Sequence, residues 1–156
     1  MIQDAIVAEL TRMHCCVSTA ESCTGGRIAA ALIDPSGASA VYQEGYITYS
    51  NEAKHKLLGV SRHTLDTFGA VSPQTAAEMA AGCARAAGSD YAIVSTGIAG
   101  PTGGTADKPV GLVYLGCYAR GTVSVYRNLF TGDRSRIRDK AVQRALEILL
   151  CKLKNP

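Results

Sequence analysis

The sequence predicts a three-layer α/β/α sandwich around a mixed sheet, and three observations lead there. Buried-strand patterns alternate with amphipathic helical patterns through the first half of the chain. Two β-branched and aromatic runs, LVYLGCYA and TVSVYRNLF, flank Arg120-Gly121 as a hairpin that closes the sheet. No repeat, linker or low-complexity segment divides the 156 residues, so residues 1–156 read as one domain.

Taken in order, Ile2, Ile6, Leu10 and Met13 form one stripe, which predicts a helix over 2–13. CVSTA (16–20) reads as a buried strand that runs into ESCTGG and a helix, RIAAALI. That helix stops at the turn cluster Asp34-Pro35-Ser36-Gly37. The stretch from Val41 to Tyr49 is β-branched and aromatic, a strand with a bulge expected at Gly45. Asn51 is placed to cap the short helix EAKHKLLG, which ends at Gly59. A short helical piece around 64–68 follows. Ser72-Pro73 then opens an alanine-rich helix that runs to Gly88. YAIVSTG (91–97) is a second buried strand, followed by a long glycine- and proline-rich loop and the hairpin. Asp133 caps a last helix reaching about Lys152.

Composition narrows the function. Hydrophobic residues at 47% suffice for a packed core, and charged residues at 19% argue against disorder. No apolar run reaches the roughly 18 residues of a membrane helix. The amphipathic, early-acidic N-terminus does not resemble a signal peptide, so the expected setting is cytoplasmic, with no membrane partner. The six cysteines show no CxxC pair, which points to reduced, buried thiols and no metal site. A net charge of +3 and the absence of Trp argue against direct nucleic-acid binding.

Chemistry is expected at two glycine-rich loops that follow buried strands, ESCTGG (21–26) and TGIAGPTGG (96–104), because ligands of open α/β sheets collect at strand carboxyl ends. Ser22 sits between strand and helix, and the N–H groups around Thr24, Gly25 and Gly26 suit an oxyanion. The pattern alone favours Ser22 or Thr24 as a helix cap over a catalytic role, and leaves both readings open. Neither loop ends in the Gly-Lys-Ser/Thr of a phosphate-binding P-loop. None of His14, His55 and His63 lies in a loop beside a nucleophile. A lysine can serve if burial or a nearby cation lowers its pKa; Lys54 is the better-placed candidate, at the start of a helix whose dipole would lower it, although the pattern by itself reads as an exposed helix lysine. Arg134, Arg136 and Arg138 crowd the start of the last helix against its macrodipole, a cost an anion would relieve. Arg134 and Arg138 share a face, which reads equally as a phosphate clamp or as a solvated basic face.

Together ESCTGG, GYITYSNEAKHKLLGV, GAVS, STGIAGPTGG, KPVGLVY and GDRSRIR resemble, in order, the motifs of the CinA C-terminal domain family. Its characterised members are nicotinamide mononucleotide deamidases. The resemblance implies metal-free amide hydrolysis, with no cofactor, by a serine nucleophile (Ser22) and a lysine base (Lys54). It adds Tyr49 to the catalytic set, Thr96 and Gly97 to the substrate-binding set, and Arg138 or Arg134 as the phosphate ligand. It also implies a homodimer or larger homo-oligomer. Many relatives carry an additional amino-terminal domain, and the expectation here is a stand-alone deamidase. Phe68 departs from the pattern, which suggests His before GAVS. The competing readings are a non-enzymatic nucleotide-binding module, a competence- or DNA-damage-associated factor, and an amidase for another small carboxamide.

Overall fold

A computed structural model describes residues 1–156. The elements are α1 (Ile2–Met13), β1 (Val17–Glu21), α2 (Arg27–Ile33), β2 (Tyr42–Ile47), α3 (Asn51–Leu58), α4 (Arg62–Phe68), α5 (Pro73–Ala87), β3 (Tyr91–Gly97), β4 (Leu112–Ala119), β5 (Thr122–Leu129) and α6 (Arg134–Lys154). The five strands form one sheet in the order β2-β1-β3-β4-β5. β2, β1 and β3 are parallel, and β4 and β5 add antiparallel. The sheet is mixed, as the alternation and the hairpin predict.

Burial follows the topology. β1 is buried along its whole length, and so is β3 up to Gly97, as befits strands covered on both faces. β5, at one edge, alternates between exposed and half-buried residues. One core joins α1 and α6 to the sheet through Ile6, Leu10, Ile93, Leu115, Ile137 and Leu149. On the other face Met79, Ala80 and Cys83 of α5 pack with Leu58, Leu65 and Val94. α3 approaches α5 closely at Gly82, where a Cβ would overlap the carbonyl oxygen of Leu58.

Several boundaries differ from the sequence reading. β1 covers 17–21 instead of 16–20, and α6 runs to Lys154. β2 ends at Ile47, where the Thr48 N–H donates the last ladder bond to the Glu21 carbonyl at 2.9 Å. Between Val17 and Thr19 the β1–β2 register slips: Val17 faces Tyr42, and Thr19 already faces Gly45, so the irregularity lies just before that glycine. The α3 cap is Ser50, whose hydroxyl accepts from the Ala53 N–H at 3.0 Å; Asn51 is instead the first helical residue. α4 starts at Arg62, two residues ahead of the expected start, with Ser61 as its cap, while Ser72 and Asp133 cap α5 and α6 as expected. The hairpin turns through Arg120 (φ 47°) and Gly121 (φ 98°), two positive angles suited to the twist of the flanking strands.

From β1 the chain crosses to β2 on one side, then returns over β1 to β3 on the other. The connections diverge between the carboxyl ends of β1 and β3, where an open sheet leaves a crevice.

Candidate active site

Glu21 ends β1 and is buried, and its carboxylate sets the local geometry. It accepts from the Ile28 N–H at 2.8 Å, the Ala29 N–H at 3.0 Å and the Thr24 hydroxyl at 2.6 Å. Glu21 therefore caps α2, whose own N-cap position is Gly26 and offers no side chain. Neither Ser22 nor Thr24 performs the capping that the sequence allowed. The Thr24 hydroxyl also pairs with Ser95 at 2.7 Å, and the Ser22 N–H donates to the Ser95 carbonyl at 3.0 Å, so the turn after β1 is pinned to β3.

This leaves the Ser22 hydroxyl to one partner. Lys54 Nζ lies 3.1 Å from Ser22 Oγ and donates to the Thr48 carbonyl at 2.9 Å. Lys54 is 1% exposed and Ser22 8%. Burial lowers the Lys54 pKa to about 8; the neighbouring Cys23 thiol pulls weakly the other way. Burial thus accounts for the depression, and the helix dipole of the sequence reading is not needed. Burial likewise pushes the Cys23 thiol up to about 11, so it stays protonated at neutral pH. Of these two adjacent side chains, only Ser22 is hydrogen-bonded to Lys54.

Ser22, Cys23 and Lys54 open onto a cleft of about 290 Å³ at the β1–β3 switch point, near the lower end of the roughly 300–1,000 Å³ usual for ligand pockets. Thr96 and Gly97 at the end of β3 form its floor, and the loop from Ile98 to Gly103 forms one wall. The Thr96 hydroxyl donates to the Ala70 carbonyl at 2.8 Å, which holds the GAVS segment against the cleft. The Lys108 ammonium reaches the Phe68 carbonyl and ties the far end of the long loop to the same region. Tyr49 stands on the rim, 62% exposed. Arg134 donates to the Gly100 carbonyl at 2.8 Å and to the Tyr49 hydroxyl at 3.2 Å, so it spans the mouth from loop to rim.

The structure thus brings Ser22, Lys54, Tyr49, Thr96, Gly97 and Arg134 to one cleft. It does not bring the others. Thr24, Gly25, Gly26 and Arg138 lie outside the cleft lining. The Gly25 N–H is spent on the Ser22 carbonyl at 3.1 Å. Arg138 donates to the Cys23 carbonyl at 2.9 Å and the Thr24 carbonyl at 3.4 Å, so it braces the turn and does not face the cleft. Arg134 and Arg138 share a helix face but not a target. Asn51, read as a cap, instead lines the cleft one turn ahead of Lys54, where the i, i+3 spacing puts both on one side of α3. No cluster of three or more His, Cys, Asp or Glu side chains is arranged to hold a metal ion.

Known proteins share this architecture. The chain is 51% identical over 148 residues to a CinA-like protein of Kosmotoga olearia, which covers 95% of this chain and 36% of that protein. The chain therefore spans about a third of the length of the curated relatives it matches. Among solved structures, the competence/damage inducible protein CihA of Agrobacterium tumefaciens superposes with a TM-score of 0.93 at 46% identity, covering 97% of this chain and 94% of that one. A competence-damaged protein (CinA) superfamily protein of Klebsiella pneumoniae superposes at 0.95 with 37% identity, covering 99% and 97%. The family model described as the CinA C-terminal domain matches residues 1–153, and this chain belongs to that family.

Proposed function

We propose that the chain is an amidohydrolase that converts the carboxamide of nicotinamide mononucleotide to a carboxylate, releasing ammonia. The observation that carries this reading is the buried Ser22–Lys54 pair, 3.1 Å apart and lining a cleft. A lysine with its pKa near 8 is neutral in a useful fraction of molecules at neutral pH, and its lone pair then accepts the serine proton. The Ser22 oxygen attacks the carboxamide carbon, and the negative charge formed on the carbonyl oxygen meets the N–H of Cys23, which lines the cleft. Lys54 returns the proton to the nitrogen, and the C–N bond breaks to give ammonia and an ester on Ser22. Water, deprotonated by the same lysine, cleaves the ester, releasing the acid and restoring the serine.

The charge pattern of the cleft favours the nucleotide over free nicotinamide. The pyridinium ring carries a positive charge, and its approach to Lys54 favours the neutral amine. Arg134 supplies a cation at the mouth, matched to a phosphate. The motif resemblance to a family with characterised nicotinamide mononucleotide deamidases supports the same substrate.

The test is incubation of the purified protein with nicotinamide mononucleotide, with nicotinamide and with a panel of small carboxamides, measuring ammonia and the corresponding acid. Ammonia and nicotinic acid mononucleotide released one to one, with nicotinamide turned over at least tenfold less efficiently, are expected. Equal turnover of nicotinamide and its mononucleotide would remove the arginine from the argument, and no ammonia from any carboxamide would leave a binding module.

A further inference from the structure

Lys54, when protonated, is a buried cation without a counter-ion. Its ammonium donates to the Ser22 hydroxyl at 3.1 Å and to the Thr48 carbonyl at 2.9 Å, and its third N–H has no partner. No carboxylate lies within ion-pair distance. The acids of the surrounding elements are committed elsewhere. On α3, Glu52 pairs with Arg62 at 3.2 Å. On α5, Glu78 accepts from the Ser61 N–H at 2.9 Å and from the Thr64 hydroxyl. Glu21, at the end of β1, is spent on the start of α2. The remaining neighbours add no negative charge at neutral pH: the Cys23 thiol titrates only near 11, the His55 ring is bonded to the Val60 carbonyl, and Arg85 donates to the Leu58 carbonyl.

The cleft repeats this imbalance. Two of its 15 lining residues are cations, Lys54 and Arg134, and none is an acid. Arg134 also has only neutral partners, the Gly100 carbonyl and the Tyr49 hydroxyl. While the ammonium donates to Ser22 Oγ, the serine's own proton has no acceptor within the protein and is free for one in the cleft. A hydroxyl donor backed by a buried ammonium suits a carboxylate. The hydrolysis proposed above ends in that arrangement. The carboxylic acid freed at Ser22 is far more acidic than the ammonium, so its proton passes to Lys54 and leaves an ion pair across the serine. The carboxylate carbon is the atom that Ser22 attacked, so its charge lies nearer to Lys54 than the charge of the pyridinium ring.

We propose that the cleft with protonated Lys54 is a receptor for a molecule carrying a carboxylate at one end and a phosphate at the other, and that the acid product occupies it together with a bound proton. The carboxylate accepts from Ser22 beside Lys54, and the phosphate meets Arg134. The identity of the ligand rests on the proposed hydrolysis. The product then inhibits at neutral pH and is released as pH rises.

The probe is nicotinic acid mononucleotide, titrated by calorimetry into wild type and Lys54→Met at pH 7.5 and pH 9.5, in buffers of different ionisation enthalpy. The ligand's phosphate, with its second pKa near 6, and its carboxyl are ionised at both pH values, so proton uptake reports the protein. Because free Lys54 titrates near 8, binding at pH 9.5 should take up close to one proton per site, against about a quarter of one at pH 7.5. The dissociation constant should rise at least tenfold between the two. Lys54→Met, which removes a buried charge, should bind at least tenfold more weakly at pH 7.5 and take up no proton. The proposal is overturned by binding of equal strength at both pH values without uptake, by uptake that persists in Lys54→Met, or by no binding at either pH. Proton-coupled binding without ammonia release from nicotinamide mononucleotide would support the receptor and defeat the hydrolysis alone. Ammonia release with pH-independent binding would defeat the receptor alone.

Discussion

Lys54 is the side chain farthest from its ordinary chemistry. Its pKa falls from 10.5 to about 8 because burial penalises the ammonium. Between those two values the unfolded chain holds a proton that the folded chain has released, so stability rises with pH across that window and is lower throughout below it. Folding therefore carries a cost of about 3 kcal/mol at pH 7 on account of this amine. Lys54→Met should raise the unfolding temperature at pH 7 by several degrees, with the gain fading as pH rises from 8 to 10.5, and should abolish turnover. The wild-type kcat/KM should climb with pH and level off above about 8, which a pH–rate profile checks. The sequence offered Lys54 as a candidate base from its place at the start of a helix, and the motif resemblance singled it out. Nothing local says that Lys54 turns inward to the Thr48 carbonyl.

At the scale of elements, the division of labour around the first glycine loop decides what Ser22 can do. Glu21 satisfies the start of α2, and that leaves the serine hydroxyl to Lys54. Glu21→Ala strips a buried three-bond acceptor and should destabilise the fold by about 3 kcal/mol in denaturant titration. The cap was not legible because Glu21 lies on the preceding strand, outside the Ser/Thr-x-x-Glu spacing that marks a helix start. Ser50, by contrast, sits one residue before the expected cap, and a one-residue error at a helix end is decided by geometry that the sequence does not print. The placement of α3 depends on α5: Gly82 lets the Leu58 carbonyl approach. Gly82→Ala should push α3 outward, lengthening the Ser22–Lys54 contact. It should reduce kcat at least tenfold while the circular dichroism spectrum stays native.

For the whole molecule, the strand order explains why segments far apart in sequence meet. The three parallel strands put the ends of β1 and β3 side by side, and α6 returns to lay Arg134 across the mouth. The sandwich, the hairpin and the buried character of β1 and β3 were legible because alternating elements and apolar runs dictate them. Which arginine faces the cleft was not, since Arg134 and Arg138 are equivalent on a helix surface until the turn after β1 takes Arg138 for its own carbonyls. Arg134→Ala should raise KM for nicotinamide mononucleotide about tenfold, a loss typical of one charge-assisted contact, and leave any activity on free nicotinamide unchanged. The central claim, that Ser22 attacks and Lys54 takes its proton, is tested most directly by ammonia release from nicotinamide mononucleotide at pH 8 by wild type, Ser22→Ala and Lys54→Ala, each shown to be folded. The account predicts sustained release by wild type and a loss of at least about a thousandfold in both variants; near-normal release by Ser22→Ala would contradict it.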